Sequence, residues 1–371
     1  MLSRLFMNHR RLTVLRALGA CAMTICAGAA GGVIGSSVTN GSLETFADRL
    51  FRSAGPVSFP SGERPVRLLE GDEDRLAMLR EVALPTVVRI YTSPIDREDF
   101  DSSIPTARGI LLTSDGWVAA APFFLAESEE ATLSVLSGQT FYPITAVVAD
   151  PASETVFLKM AASNLPVAAF GTTSRLEPGE PIFVLPSDKE ILPMAFRGWN
   201  GTEGRSVSVD VPHRFLFLSG EVLAPGSPVF NQQGAFIGLT SGKKESDAPT
   251  QAIPVETFQG PLRSLLQTGE IQRPFLGVRG TDLSQAPGVV LEGRTRGMLV
   301  DVVEKGSPAE KADIRSGDVI VEVGGRPIYR EASLERFLAF AQPGELWILG
   351  LERDGVTLEV EVILETLALL P

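Results

Sequence analysis

The chain has 371 residues, a length that fits two folded domains with extensions and excludes a single compact domain. Hydrophobic residues make up 44% and charged residues 21%, so core material is ample and disorder is excluded for most of the length. The formal charge is −12; all 45 acids lie at or after Glu44, whereas four of the 33 basic residues (Arg4, Arg10, Arg11 and Arg16) precede it, leaving an acidic body that excludes nucleic acid as a partner.

The first 16 residues form a basic stretch, and Ala17 to Gly35 (ALGACAMTICAGAAGGVIG) runs 19 residues without a charge. As a helix it would be about 28 Å long, close to the ~30 Å hydrocarbon core of a bilayer. The arginines on its N-terminal side and the acids beyond it predict a cytoplasmic N-terminus and an exported body. Residues 17–35 thus read as a single-pass membrane anchor, with a signal peptide cut near Ala27–Ala29 and a lipoprotein signal ending at Cys21 as open alternatives. Both cysteines, Cys21 and Cys26, fall in this segment, so the body has no thiol, disulfide or cysteine-based zinc site. His9 and His213 are the only histidines, which leaves little material for imidazole chemistry. No metal or cofactor is expected.

Residues 36–75 are rich in Ser, Gly, Pro and charge without sustained periodicity and read as a linker. From Val82 onward short apolar runs alternate with turn residues: PTVVRIYT, ARGILLTSDGWVAAA, YPITAVVAD, TVFLKM, EPIFVLP, SVSVDV, RFLFLSGEV and SPVFNQQGAFIGLTSG. Their lengths and β-branched content predict strands of an all-β barrel or sandwich domain over residues 76–268. Phe258, Leu262, Leu265 and Leu266 share helical spacing and predict a closing helix. Residues 273–366 form a second unit of strands with a short helix at Pro308 to Ala312 and a longer one from Ser333 to Ala341. In the latter, Ser333 supplies the N-cap and Leu334, Phe337 and Leu338 the apolar stripe.

The C-terminal pattern RPFLGV, GMLVDVVEKGSPAEKADIRSGDVIVEVGGRPI and PGELWILGLERDG resembles a bacterial PDZ domain. With the all-β domain and the export segment before it, the chain resembles the HtrA/DegP/DegS family of membrane-tethered trypsin-like proteases. VALPTVVRIYT, ARGILLTSDGWV, DPASETVFLKM, LEPGEPIFVL and SPVFNQQGAFIGLTSG match successive family strands from about Arg75 to Leu364. The resemblance implies a mainly β fold: a trypsin-like double β-barrel, then an α+β PDZ domain, after an N-terminal transmembrane helix.

A serine protease needs a hydroxyl nucleophile, an imidazole base, a carboxylate to orient it, and backbone N–H groups for the oxyanion. By position, the family's histidine falls on Phe123, which accepts no proton, and its aspartate on Glu154. Its nucleophile motif Gly-Asn-Ser-Gly-Gly-Pro, anchored on Pro228, places Pro225 where serine belongs. Proline lacks both the hydroxyl and the backbone N–H. A two-residue deletion would make Ser227 the nucleophile instead, without the preceding glycine or a matching histidine.

The resemblance also implies a peptide site. PDZ domains add a C-terminal peptide as an extra strand, with its carboxylate in a cluster of backbone N–H groups. The carboxylate loop would be Phe275-Leu276-Gly277-Val278, and Leu334, Phe337 and Leu338 the opposite wall or, equally, core. The expected protein is a membrane-tethered, proteolytically inactive homologue that binds C-terminal or unfolded peptides as scaffold, regulator or chaperone-like factor. Its expected assembly is a homotrimer or a complex with an active relative, and an active serine endopeptidase with a non-standard site is the alternative.

Overall fold

The computed structural model describes residues 71–91, 105–122, 133–187, 189–199, 205–220, 224–241, 250–286 and 295–368. The membrane segment at 17–35, most of the 36–75 linker and Phe123 lie outside the described residues. Among the described residues no helix is long and apolar enough to cross a membrane.

Helix α1 (Asp72–Val82) opens the described chain, so the linker reading extends a few residues too far. Leu79 on α1 is fully buried against the barrels, and that contact rather than a strong apolar stripe holds the helix. Two closed six-stranded antiparallel barrels follow. The first contains β1 (Val87–Tyr91), β2 (Ala107–Leu111), β3 (Trp117–Ala120), β4 (Ser134–Ser137), β5 (Thr140–Asp150) and β6 (Thr155–Met160), in the order β1-β2-β3-β6-β5-β4. The second contains β7 (Pro181–Val184), β8 (Leu192–Trp199), β10 (Leu216–Leu218), β11 (Pro228–Phe230), β12 (Phe236–Thr240) and β13 (Thr250–Pro254). Closure leaves neither barrel a bare sheet edge.

Each barrel has its own filling: Val88, Ile90, Leu111 and Leu158 in the first, and Val184, Phe196, Leu216 and Ile237 in the second. A third cluster lies between them, where Val87, Ile110 and Phe157 meet Phe183, Phe230 and Phe236. Helix α2 (Glu256–Thr268) closes this cluster with Phe258, Leu262 and Leu265, the residues whose spacing predicts it.

β9 (Val207–Ser208), between β8 and β10 in the chain, joins neither barrel. It lies within the SVSVDV run that reads as a barrel strand, and its partner is instead in the C-terminal domain. That domain contains β14 (Pro274–Phe275), β15 (Val278–Asp282), β16 (Met298–Val303), β17 (Val319–Val323), β18 (Arg326–Pro327), β19 (Leu346–Arg353), β20 (Val356–Ile363) and β21 (Glu365–Thr366). Its main sheet runs β20-β19-β17-β16-β15-β9, so the last strand is contributed by the barrel domain's chain. Helices α3 (Pro308–Lys311) and α4 (Leu334–Phe340) start as the sequence predicts: the Ser307 and Ser333 side chains accept hydrogen bonds from the N–H groups of Glu310 and Arg336.

Candidate functional site

Of the positions matched to a protease triad, Glu154 and Pro225 lie in the described residues, one in the turn between β5 and β6 and the other in the turn before β11. Ala120 at the end of β3 pairs with Val156 of β6, two residues after Glu154. Glu154 ends the Pro151–Glu154 turn with φ 53, a left-handed conformation that strains a side chain with a Cβ. Beside these strand ends sits the turn that carries Pro225. Gly226 has φ 77, and a Cβ there would stand 2.7 Å from the Arg108 carbonyl oxygen and 3.4 Å from the Ala121 nitrogen. The turn therefore presses on β2 and on the residue after β3.

The Ser227 side chain is fully buried, and its Oγ donates to the Ala224 carbonyl at 2.8 Å. Thr240 braces the same turn: its Oγ1 accepts from the Ser227 N–H at 2.8 Å and donates to Ala224 O at 2.7 Å. The Gly226 N–H donates to the Thr240 carbonyl. Ser227 thus serves as a turn brace. His213 is held elsewhere, with Nδ1 3.2 Å from Val211 O and Nε2 3.6 Å from Glu335 of the C-terminal domain.

The second site is the loop Phe275-Leu276-Gly277-Val278. Gly277 has φ 81, and a Cβ would lie 2.1 Å from that of Ser307, so only glycine lets this loop turn its amides outward. Leu276, Val278 and Leu334 are fully buried, and Phe337 and Leu338 nearly so, whereas Phe275 is half-buried. The wall residues are therefore buried, and two residues absent from the sequence-based site lie against the loop. Val209 is 2% exposed, and its N–H donates to Val278 O at 3.1 Å. The Asp210 carboxylate accepts from the Leu276 N–H at 2.6 Å and from the Gly277 N–H at 3.1 Å. Burial pushes the Asp210 carboxyl up to about 6, with the Glu304 charge adding to the rise and the two loop amides opposing it. The only sequence signal for this pair was an apolar residue followed by a carboxylate in SVSVDV, which carries no register by itself.

A cleft of about 680 Å³ separates the second barrel from the C-terminal domain, with Val209 and Asp210 on its wall. Around it, Glu256 of α2 accepts from the Thr173 N–H and Oγ1 at 2.8 and 2.9 Å and pairs with Arg336 of α4 at 3.1 Å. No group of carboxylates, cysteines and histidines suited to a metal ion occurs among the described residues.

Comparison with known proteins agrees with this architecture. The family profile described as "Trypsin-like peptidase domain" matches residues 107–239, and that described as "PDZ domain" matches residues 274–364. The chain is 27% identical over 309 residues to a "Probable periplasmic serine endoprotease DegP-like" of Ectopseudomonas mendocina, covering 74% of this chain and 62% of that relative, less than two thirds of its length. To the "Putative serine protease HhoB" of Synechocystis sp. it is 28% identical over 348 residues, covering 82% of this chain and 81% of the relative. Among solved structures, "HtrA-type protease AlgW with tripeptide" superimposes with a TM-score of 0.55 at 18% identity, over 79% of this chain and 97% of that one. The two barrels and the domain behind them thus define a trypsin-like peptidase fold followed by a PDZ domain. In that domain order the chain is similar to the DegP-like and HhoB relatives.

Proposed function

We propose that the protein is a membrane-tethered HtrA-like pseudoprotease, with residues 17–35 as the tether and the body on the periplasmic side. Its PDZ domain binds C-terminal or extended peptides in the service of envelope protein quality control, as scaffold, regulator or chaperone-like factor. One observation carries the loss of proteolysis: the turn between the barrels holds Pro225 and a Ser227 whose hydroxyl is committed to Ala224 O. Removal of a complete triad costs about 10⁶ in turnover, and the residue of catalysis depends on oxyanion donors that proline does not supply. The Leu276 and Gly277 amides, aimed at carboxylate oxygens, support the retained binding role.

The second reading, a serine endopeptidase using Ser227, is favoured by relatives whose names describe serine endoproteases. One experiment separates the two: the full chain is incubated with an unfolded protein substrate and, in parallel, with a fluorophosphonate probe. The pseudoprotease gives neither cleavage nor labelling. Turnover that disappears in Ser227→Ala establishes the endopeptidase instead.

A further inference from the structure

We propose that residues 207–210 are an intramolecular ligand of the PDZ groove, with Val209 in the seat of a peptide's last residue and the Asp210 side chain in place of its terminal carboxylate. This inference rests on the peptide-binding reading of the groove and adds its regulation: an incoming chain end must displace the protein's own segment.

The match between this segment and a bound peptide is detailed. A peptide joins a PDZ domain as a strand antiparallel to the one that follows the carboxylate loop. Here that strand is β15, and β9 lies antiparallel on it, with Ser208 opposite Arg279 and Val207 opposite Gly280. Continuing the register places Val209 opposite Val278, where its N–H donates to the Val278 carbonyl. Val209 is apolar and buried, as the last residue of a C-terminal ligand would be. A free peptide ends there in a carboxylate. This chain continues, and the next residue bends its side-chain carboxylate onto the Leu276 and Gly277 amides that would otherwise meet the terminus. Ser208 stabilises the bend, its Oγ accepting from the Asp210 N–H at 3.3 Å.

The segment is built to yield. Its pairing is only two residues long, and its hold depends on tethering, which presents it at millimolar effective concentration. A competing peptide with a free carboxylate and a small β-branched last residue would make the same contacts with an untethered, better-placed carboxylate. Because β9 is joined to β8 and β10 of the second barrel, its release would alter the connection between groove and barrels.

The test uses the full chain and a dye-labelled decapeptide pool ending in free valine, with the amidated pool as control, read by fluorescence anisotropy. Asp210→Asn and Val209→Ser are each expected to bind the free-carboxylate pool at least about tenfold more tightly than wild type, with amidation abolishing binding in all three. Hydrogen exchange at Leu276 and Gly277 is expected to be slow in wild type and faster in Asp210→Asn without peptide. Equal affinities and equal exchange in all three proteins overturn the intramolecular ligand while leaving peptide binding intact. Failure of wild type and both variants to bind overturns the peptide-binding reading itself, and the proposal with it.

Discussion

Asp150 and Arg273, 123 residues apart, form a buried bidentate ion pair: Nε to Oδ1 at 3.1 Å and Nη2 to Oδ2 at 2.6 Å, with side chains 0% and 6% exposed. Asp150 ends β5 just before the turn that carries Glu154, and Arg273 immediately precedes β14 and the carboxylate loop. The same guanidinium donates to Thr257 O of α2 at 3.0 Å, and the Ser153 hydroxyl is 2.5 Å from Asp150 Oδ2. One pair thus ties the first barrel, the closing helix and the entrance to the PDZ domain together.

Breaking that pair from one side strands a charge. Asp150→Ala leaves the Arg273 guanidinium buried with a single carbonyl acceptor, a change that costs roughly 3–5 kcal/mol. Urea denaturation is expected to show this loss as a lower midpoint. Replacing both partners, Asp150→Leu with Arg273→Met, removes the stranded charge and is expected to recover most of the stability. A double variant no more stable than the single one would show that the pair's value lies in its geometry.

Helices α2 and α4 meet so closely that a Cβ on Gly260 would stand 2.6 Å from the Ala339 carbonyl oxygen. A main-chain oxygen cannot yield as a flexible side chain would, so Gly260→Ala must move one helix away from the other. The expected cost is about 1–3 kcal/mol, the usual scale of overpacking. It falls on the contact between barrels and PDZ domain, where Arg336 meets Glu256. Limited proteolysis is expected to cut the 269–273 connection faster in the variant while both domains remain folded. An unchanged cleavage rate would mean that the helices separate without opening the connection.

Much of this arrangement was legible in the sequence because it depends on local rules. Short β-branched runs with turn residues between them specify the barrel strands, and Ser333 marks a helix start by side-chain capping. Phe258, Leu262 and Leu265 betray a helix because only one face needs burial. Helix α1 was not legible, since its contribution to the core is concentrated in few residues such as Leu79. β9 was misplaced for a different reason: a strand's pattern reports which faces are buried and says nothing about which sheet supplies the partner. The role of Asp210 depended on that unseen pairing, because a carboxylate in a β-rich run is ordinary until two amides are found pointing at it.

Protonation of Asp210 gives the contact a pH dependence whose sign is fixed. Its carboxyl rises from 3.8 to about 6 in the folded protein, chiefly by burial, with Glu304 as the neighbouring charge and Ser208, Leu276 and Gly277 as hydrogen-bond donors. A raised folded value means that the native state takes up a proton that the unfolded chain does not. The resulting stabilisation is full below about pH 4 and is lost as pH rises through about 6. From about pH 7 to about pH 5, wild type should therefore gain about 1 kcal/mol relative to Asp210→Asn, which has no carboxyl to titrate. Parallel denaturant titrations at the two pH values measure the difference. A constant gap between the proteins would show that Asp210 titrates alike in both states.

The turn between the barrels distinguishes a brace from a nucleophile by stability as well as by activity. In Ser227→Ala the Ala224 carbonyl keeps the Thr240 hydroxyl as donor, so the expected loss is one ordinary hydrogen bond, about 0.5–1.5 kcal/mol. Thr240→Val removes more: the buried Ser227 N–H loses its acceptor and Ala224 O loses a donor, at an expected cost of about 1–3 kcal/mol. The order of the two losses, Thr240→Val above Ser227→Ala, is the measurable outcome in urea denaturation. A serine held as a strained nucleophile would leave that order in place but make Ser227→Ala neutral or stabilising, so a measurable loss in Ser227→Ala is what marks the brace.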